Sequence, residues 1–122
     1  MDIIIDWEAW ETKFNGETVS MELLPLETQT LLELGAVASA NDPSKTMGMV
    51  VDIFPGHVRN VQGITINGKV PTPEQYASVS RIYVLTTRIL TQLGIISQIS
   101  EEDVKNSNGP SDSQTSDSNG TK

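Results

Sequence analysis

Residues 7–24 read WEAWETKFNGETVSMELL, two alternating runs that meet at Asn15-Gly16. Asn-Gly between such runs is the strongest short-range signal for a β-hairpin, because a type I′ turn requires positive φ at both central residues. A two-residue turn fixes the register and pairs Trp10 with Met21. One face of the hairpin then collects the large apolar side chains, which are those of Trp10, Phe14, Val19, Met21 and Leu23. We therefore predict a hairpin over about residues 7–24 with one face packed against another layer.

Three later segments carry apolar residues at helical spacing, and we predict helices over about 27–40, 44–54 and 73–93. Pro55-Gly56 is expected to end the second helix. The third begins with Thr72-Pro73-Glu74-Gln75, which offers an N-cap threonine, a proline at the first helical position and a glutamine three residues after the cap. About 20 residues at a rise of 1.5 Å make this helix roughly 30 Å long.

These elements predict a single α+β domain over residues 1–105, an N-terminal β-hairpin packed on a small helical layer with one long C-terminal helix. The segment 57–62 gives an ambiguous pattern, and Asn67-Gly68 predicts a small hairpin or a structured turn. From 106 to 122 the chain has no apolar side chain apart from Pro110, so we predict a disordered polar tail. Such a tail is either a tether, a short recognition segment or an unselected terminus.

The charge balance limits the classes of partner. Sixteen acidic residues stand against eight basic ones, a net charge of −8. This disfavours nucleic acid, which needs a basic surface to displace counterions, and it disfavours an anionic membrane surface. The acidity fits a basic or amphipathic partner, an imitation of a phosphate backbone, or a role in solubility alone.

Residues that could carry out chemistry are scarce. The chain has no cysteine, and His57 is its one histidine, with Asp52 as the nearest candidate to orient it. No nucleophile elbow, phosphate-binding loop or metal-ligand spacing accompanies them. We predict no enzymatic activity, no cofactor and no metal site, with His57 in a loop. The first residues, Met1 to Asp6, lack the features of a signal peptide, and no apolar run reaches the length of a membrane span.

A protein that acts by contact needs an uncovered apolar surface. Trp7 has the opposite parity to Trp10 on the first strand, so it packs in the core or serves as an exposed anchor for a partner. We predict a contact surface either on the hairpin, at Trp7 and Met21, or on the long helix, at Tyr76 and Tyr83.

Two motifs resemble a known family. The first is Trp10-x-x-x-Phe14-Asn15-Gly16-x-x-Val19-x-Met21-x-x-Leu24-Pro25-Leu26. The second is Ile53-Phe54-x-x-His57-Val58-x-Asn60-Val61-x-Gly63-Ile64, followed by Asn67-Gly68 and a helix. In the order of their elements, residues 7–93 resemble the tail assembly chaperones of long-tailed bacteriophages.

The resemblance implies a non-enzymatic protein of the host cytoplasm that coats the tape-measure protein and helps to recruit tail-tube subunits. It supplies no catalytic residues to transfer. Two other hypotheses stay open. One is a structural component of the virion, such as a connector, a tail-completion protein or a capsid-associated protein. The other is an acidic inhibitor of a host protein. The partners expected are other phage proteins, with homo-oligomerisation left open and no role for nucleic acid or membrane.

Overall fold

The computed structural model describes residues 1–98, and its elements run in the order strand, strand, helix, helix, strand, helix, helix. They are β1 (Glu8–Phe14), β2 (Glu17–Leu23), α1 (Thr28–Ser39), α2 (Pro43–His57), β3 (Val58–Gln62), α3 (Pro73–Ser78) and α4 (Tyr83–Ile96), with a 3-10 turn at Ser80–Ile82 before α4. The predicted α+β class is confirmed. The end of the predicted domain at residue 105 and the predicted tail, 106–122, lie outside the described residues.

The N-terminal hairpin has the predicted turn and register. Asn15 and Gly16 have φ of 52° and 81°, and Trp10 lies opposite Met21 in an antiparallel pair. The pleat turns Met21 toward the helices, together with Val19 and Leu23, and all three are buried. Trp10 and Phe14, on the edge strand, pack against this core but are only half-buried.

A third strand was not predicted. β3 pairs antiparallel with β2, which gives a three-stranded sheet in the order β1-β2-β3. The register shifts between Ser20 and Glu22, and Asn60 on the partner strand has a φ of 55°. This irregularity breaks the period-two alternation, so residues 57–62 do not look like a strand in the sequence.

α1 follows the prediction closely, whereas α2 runs further than predicted. Pro55-Gly56 does not end α2, which continues to His57, so His57 lies at a helix end and not in a loop. Pro55 has no N–H to donate to the preceding turn, but the bond from the Val58 N–H to the Phe54 carbonyl still closes the last turn. A proline this close to the helix end therefore removes one hydrogen bond without stopping the helix.

The predicted helix over 73–93 is wrong in one respect, because it is divided. α3 starts at the predicted capping box of Thr72 and Gln75, but Val79 is extended, with ψ of 110°. The buried hydroxyl of Thr86 lies 2.8 Å from the Tyr76 carbonyl and 3.2 Å from the Ile82 carbonyl. It thus supplies a donor to the Tyr76 carbonyl, which the break leaves without a helical partner. α4 then runs past Gly94 to Ile96.

The core lies between the sheet and the helices. Its members include Leu23 from the sheet, Phe54 from α2 and Leu85, Ile89 and Leu93 from α4. The rings of Phe54 and Tyr76 meet edge to face, with centroids 5.1 Å apart. Since α4 contributes five buried residues and α1 contributes Leu34 alone, α4 is the central helix of the domain and α1 is attached at its margin.

Candidate functional site

A groove with a volume of about 650 Å³ lies between α1 and α4. One wall comes from α1 and is lined by Leu31, Leu32, Leu34, Gly35, Ala36, Ala38 and Ser39. The other comes from α4 and the residues after it, lined by Thr87, Leu90, Thr91, Gly94 and Gln98, with Thr46 of α2 completing the lining. These side chains are aliphatic, small or uncharged polar, so the groove is lined without a single ionisable group.

The groove continues onto exposed apolar side chains on both rims. Leu32 on α1 is 67% exposed. On α4, Val84 and Ile95 are 50% and 59% exposed. Helical spacing places both on the same side of α4 as Thr91. Large apolar side chains in solvent on both sides of an apolar groove are typical of a surface that another molecule covers.

Two glycines keep the groove open. A Cβ placed on Gly35 or on Gly94 would meet no atom within 4 Å. Both residues are helical, where alanine would be favoured by about 1 kcal/mol, so neither is required by the backbone conformation. Their absent side chains leave room for another backbone to approach both helices.

The chain fixes the two walls at one end. The Leu26 N–H donates to Ser97 Oγ at 2.7 Å, so the start of α1 is tied to the end of α4. At the other end of α1, the side chain of Asp42 accepts from the Lys45 N–H at the start of α2. α1 is thereby tied to α4 at its start, is followed by the capped helix α2, and buries Leu34 alone.

The structure separates the four residues predicted to form a contact surface. Met21 and Tyr76 are each 3% exposed and belong to the core, because the hairpin register and the α3 cap turn their side chains inward, so neither prediction of a surface role is correct. Tyr83 is 45% exposed and precedes Thr87 and Leu90 by one and two turns on the same face of α4. It therefore lies in line with the groove.

Trp7 lies on the opposite face of the sheet from the core, half-buried. The Arg59 guanidinium lies 4.0 Å from the centre of its ring. Arg59 also donates to Glu22 at 2.7 Å, and this hydrogen bond holds the pKa of the Glu22 carboxyl below its ordinary value. The ring is thus partly covered by a cation of the same chain, although the preceding Ile3, Ile4 and Ile5 remain exposed.

His57 takes part in a structural contact. Its Nδ1–H donates to the Leu24 carbonyl at 2.9 Å, and the Leu24 N–H donates to the His57 carbonyl at 3.0 Å. These two bonds join the ends of β2 and α2. Asp52 lines the same shallow cleft as His57, with Glu27 and Glu33, but no hydrogen bond joins the two residues in the structure. Over residues 1–98, no three His, Asp or Glu side chains are grouped as a metal site would require.

None of the described helices combines the length and the apolar composition that crossing a bilayer would require.

Sequence alone did not find the groove. The sequence predicts an uncovered apolar surface on the long helix at Tyr83, but it assigns the groove residues of α1 only to a helix. The sequence does contain one signal. In α1 the apolar residues Leu32, Ala36 and Ala38 lie outside the single stripe that a helix would bury against a core. Because helix period cannot tell a core face from an uncovered apolar face, that signal becomes readable only with the fold.

The fold and the groove define a small α+β protein with an uncharged, helix-lined groove on its surface. Comparison with protein-family models, with curated proteins and with solved structures finds no match to this chain.

Proposed function

We propose that this chain is a non-enzymatic phage protein that works by binding other phage proteins, as a tail assembly chaperone for the tape-measure protein in the host cytoplasm. The observation that supports the proposal is the uncharged groove between α1 and α4, with exposed Leu32 and Ile95 on its rims. A groove of this kind receives the apolar face of an amphipathic helix. A long helical protein awaiting assembly exposes such faces, and covering them prevents aggregation.

The motifs behind the family resemblance also agree with this reading. Their residues mark the hairpin turn at Asn15-Gly16 and the end of α2 with β3, which form the sheet and its connection to α2. They are scaffold positions, and the surfaces left free are those of α1 and α4.

The test is affinity purification of the tagged chain from phage-infected cells, followed by mass spectrometry. Three proteins are compared: the natural chain, Gly94→Leu, which fills the groove, and Gly48→Leu, a matched control. Gly48, like Gly94, is a helical glycine with open space around its Cα, but it lies in α2 and outside the groove.

The proposal expects the tape-measure protein to be recovered with the natural chain and with the Gly48→Leu variant, and to be lost with Gly94→Leu. Stoichiometric recovery of the chain in purified virions would contradict it in favour of a structural component. Recovery of a single host protein in place of phage proteins would favour the inhibitor hypothesis.

A further inference from the structure

The lining of the groove restricts the surface that can dock there. Thirteen residues line it and none of them is charged. A charged side chain pressed into such a surface would lose hydration without gaining a partner. The docking face of the occupant must therefore be an uncharged stripe, and the open space above Gly35 and Gly94 allows it to approach closely.

The charge outside the groove restricts what flanks that stripe. The chain carries sixteen acidic and eight basic residues. Within the described residues, Arg59 is paired with the Glu22 carboxylate. The chain as a whole therefore carries a net charge of −8, which attracts cations at long range and repels a second copy of the same chain.

From these two observations we infer that the occupant of the groove is a partner helix with an uncharged apolar stripe flanked by lysine and arginine, and not a second copy of this chain. The inference deepens the proposed function and relies on its claim that the groove binds protein. The apolar stripe supplies the docked contact over Leu32, Leu90 and Ile95, while the flanking cations raise the rate of encounter and select against acidic helices.

The experiment uses the full chain and three labelled synthetic helices of about 20 residues, long enough to hold helical structure. The first has an apolar stripe with lysine and arginine flanks. The second keeps the stripe and has glutamate flanks. The third keeps the composition of the first with the stripe scrambled. Binding is measured by fluorescence anisotropy at low and high salt, because salt screens charges beyond about 10 Å at 0.1 M.

The first helix should bind most tightly, and the glutamate-flanked helix at least about tenfold more weakly at low salt, with the gap closing as salt rises. The scrambled helix should bind weakly at both salt concentrations. Gly94→Leu and Leu32→Gln should each weaken the first helix, and Gly48→Leu should not. Leu32 is exposed, so its replacement leaves folding intact even if Gly94→Leu does not.

Equal binding of the scrambled helix, equal binding of the glutamate-flanked helix, or unchanged binding by both groove variants would each overturn the inference. A self-association in analytical ultracentrifugation that Gly94→Leu abolishes would also overturn it, since the second copy would then be the occupant. If the helices bind as expected but no tape-measure protein is recovered from infected cells, the groove chemistry stands and the chaperone assignment fails.

Discussion

At the scale of single residues, Gly63 is the backbone position with the least tolerance for a side chain. Its φ is +91°, and a Cβ built there would lie 2.2 Å from the Thr18 carbonyl oxygen. Gly16 shares the positive φ, at +81°, but has open space around it. Alanine substitutions at these two glycines therefore distinguish the cost of backbone strain from the cost of a clash with a neighbouring strand.

We predict that Gly16→Ala lowers the free energy of unfolding by about 1–2 kcal/mol, the cost of a left-handed backbone with a Cβ. Gly63→Ala should lower it further, by about 3 kcal/mol or more, because the sheet must also move away from Thr18. Urea denaturation of both variants measures the difference. Equal losses would mean that the loop after β3 does not press against β2 as the structure has it.

Tyr76 carries an unusual buried hydroxyl group, and its effect on stability can be tested. Its hydroxyl is buried and has no hydrogen-bond partner within residues 1–98. Burial raises the pKa of Tyr76 to about 12 from an ordinary value of 10.0. The folded state therefore holds this proton more tightly than the unfolded state, so its contribution to stability is complete below pH 10 and is lost as the pH rises toward about 12.

Tyr76→Phe should accordingly be neutral or slightly stabilising at pH 7, since it removes an unpaired buried hydroxyl and keeps the ring against Phe54. Between pH 10 and about 12 the free energy of unfolding of the natural chain should fall by at most about 3 kcal/mol relative to that of the variant. Thermal melts across this range, with Tyr83→Phe as the exposed control, provide the measurement. A large loss for Tyr76→Phe at pH 7 would show that the hydroxyl has a partner.

At the scale of elements, the break between α3 and α4 depends on Thr86. Its hydroxyl is the donor near the Tyr76 and Ile82 carbonyls, and valine would keep its shape while removing that donor. We predict that Thr86→Val lowers the free energy of unfolding by about 1–3 kcal/mol. Thr91→Val is the control, because the Thr91 hydroxyl is exposed and bonds within its own helix. Similar losses from both variants, measured by denaturation, would contradict this role for Thr86.

α1 should be the least stable helix over its length. It buries Leu34 alone, whereas α4 buries five residues. Regions with few buried apolar contacts open locally at lower cost than the core. In hydrogen–deuterium exchange, we expect the amides of α1 to exchange faster than those of α4 and to slow when the groove is filled by a ligand. Equal protection of the two helices without ligand would contradict the prediction that α1 is less stable than α4.

How far the sequence predicts each element depends on where its signal lies. The hairpin register follows from Asn15-Gly16 because turn chemistry and alternation agree locally. The helix break at Val79 could not be foreseen, since it depends on Thr86 reaching back to Tyr76 across the fold. The sequence does not reveal β3 because Asn60 interrupts its alternation, and Pro55 does not end α2 because it lies in the last turn of that helix. Local rules predicted most element positions, and contacts between elements account for the differences.

At the scale of the whole molecule, the groove emerges only from assembly. Leu32, Gly35 and Gly94 are unremarkable in the sequence, and they face a common space because Leu26 is tied to Ser97. The prediction of a contact surface at Trp7, Met21, Tyr76 and Tyr83 placed binding on apolar side chains that the fold partly uses for its own core. The candidate site is therefore located by the apolar surface that the fold leaves uncovered. Apolar character in the sequence does not locate it.

The central claim is that the groove between α1 and α4 binds the apolar face of a partner helix. An NMR titration of the isotope-labelled chain with the lysine- and arginine-flanked helix tests it most directly, because glycine amides are readily resolved. The account predicts that the amide signals of Gly35 and Gly94 move on binding while those of Gly48 and Gly16 stay in place. Shifts confined to Trp7 and the outer face of the sheet, with Gly35 and Gly94 unmoved, would contradict it.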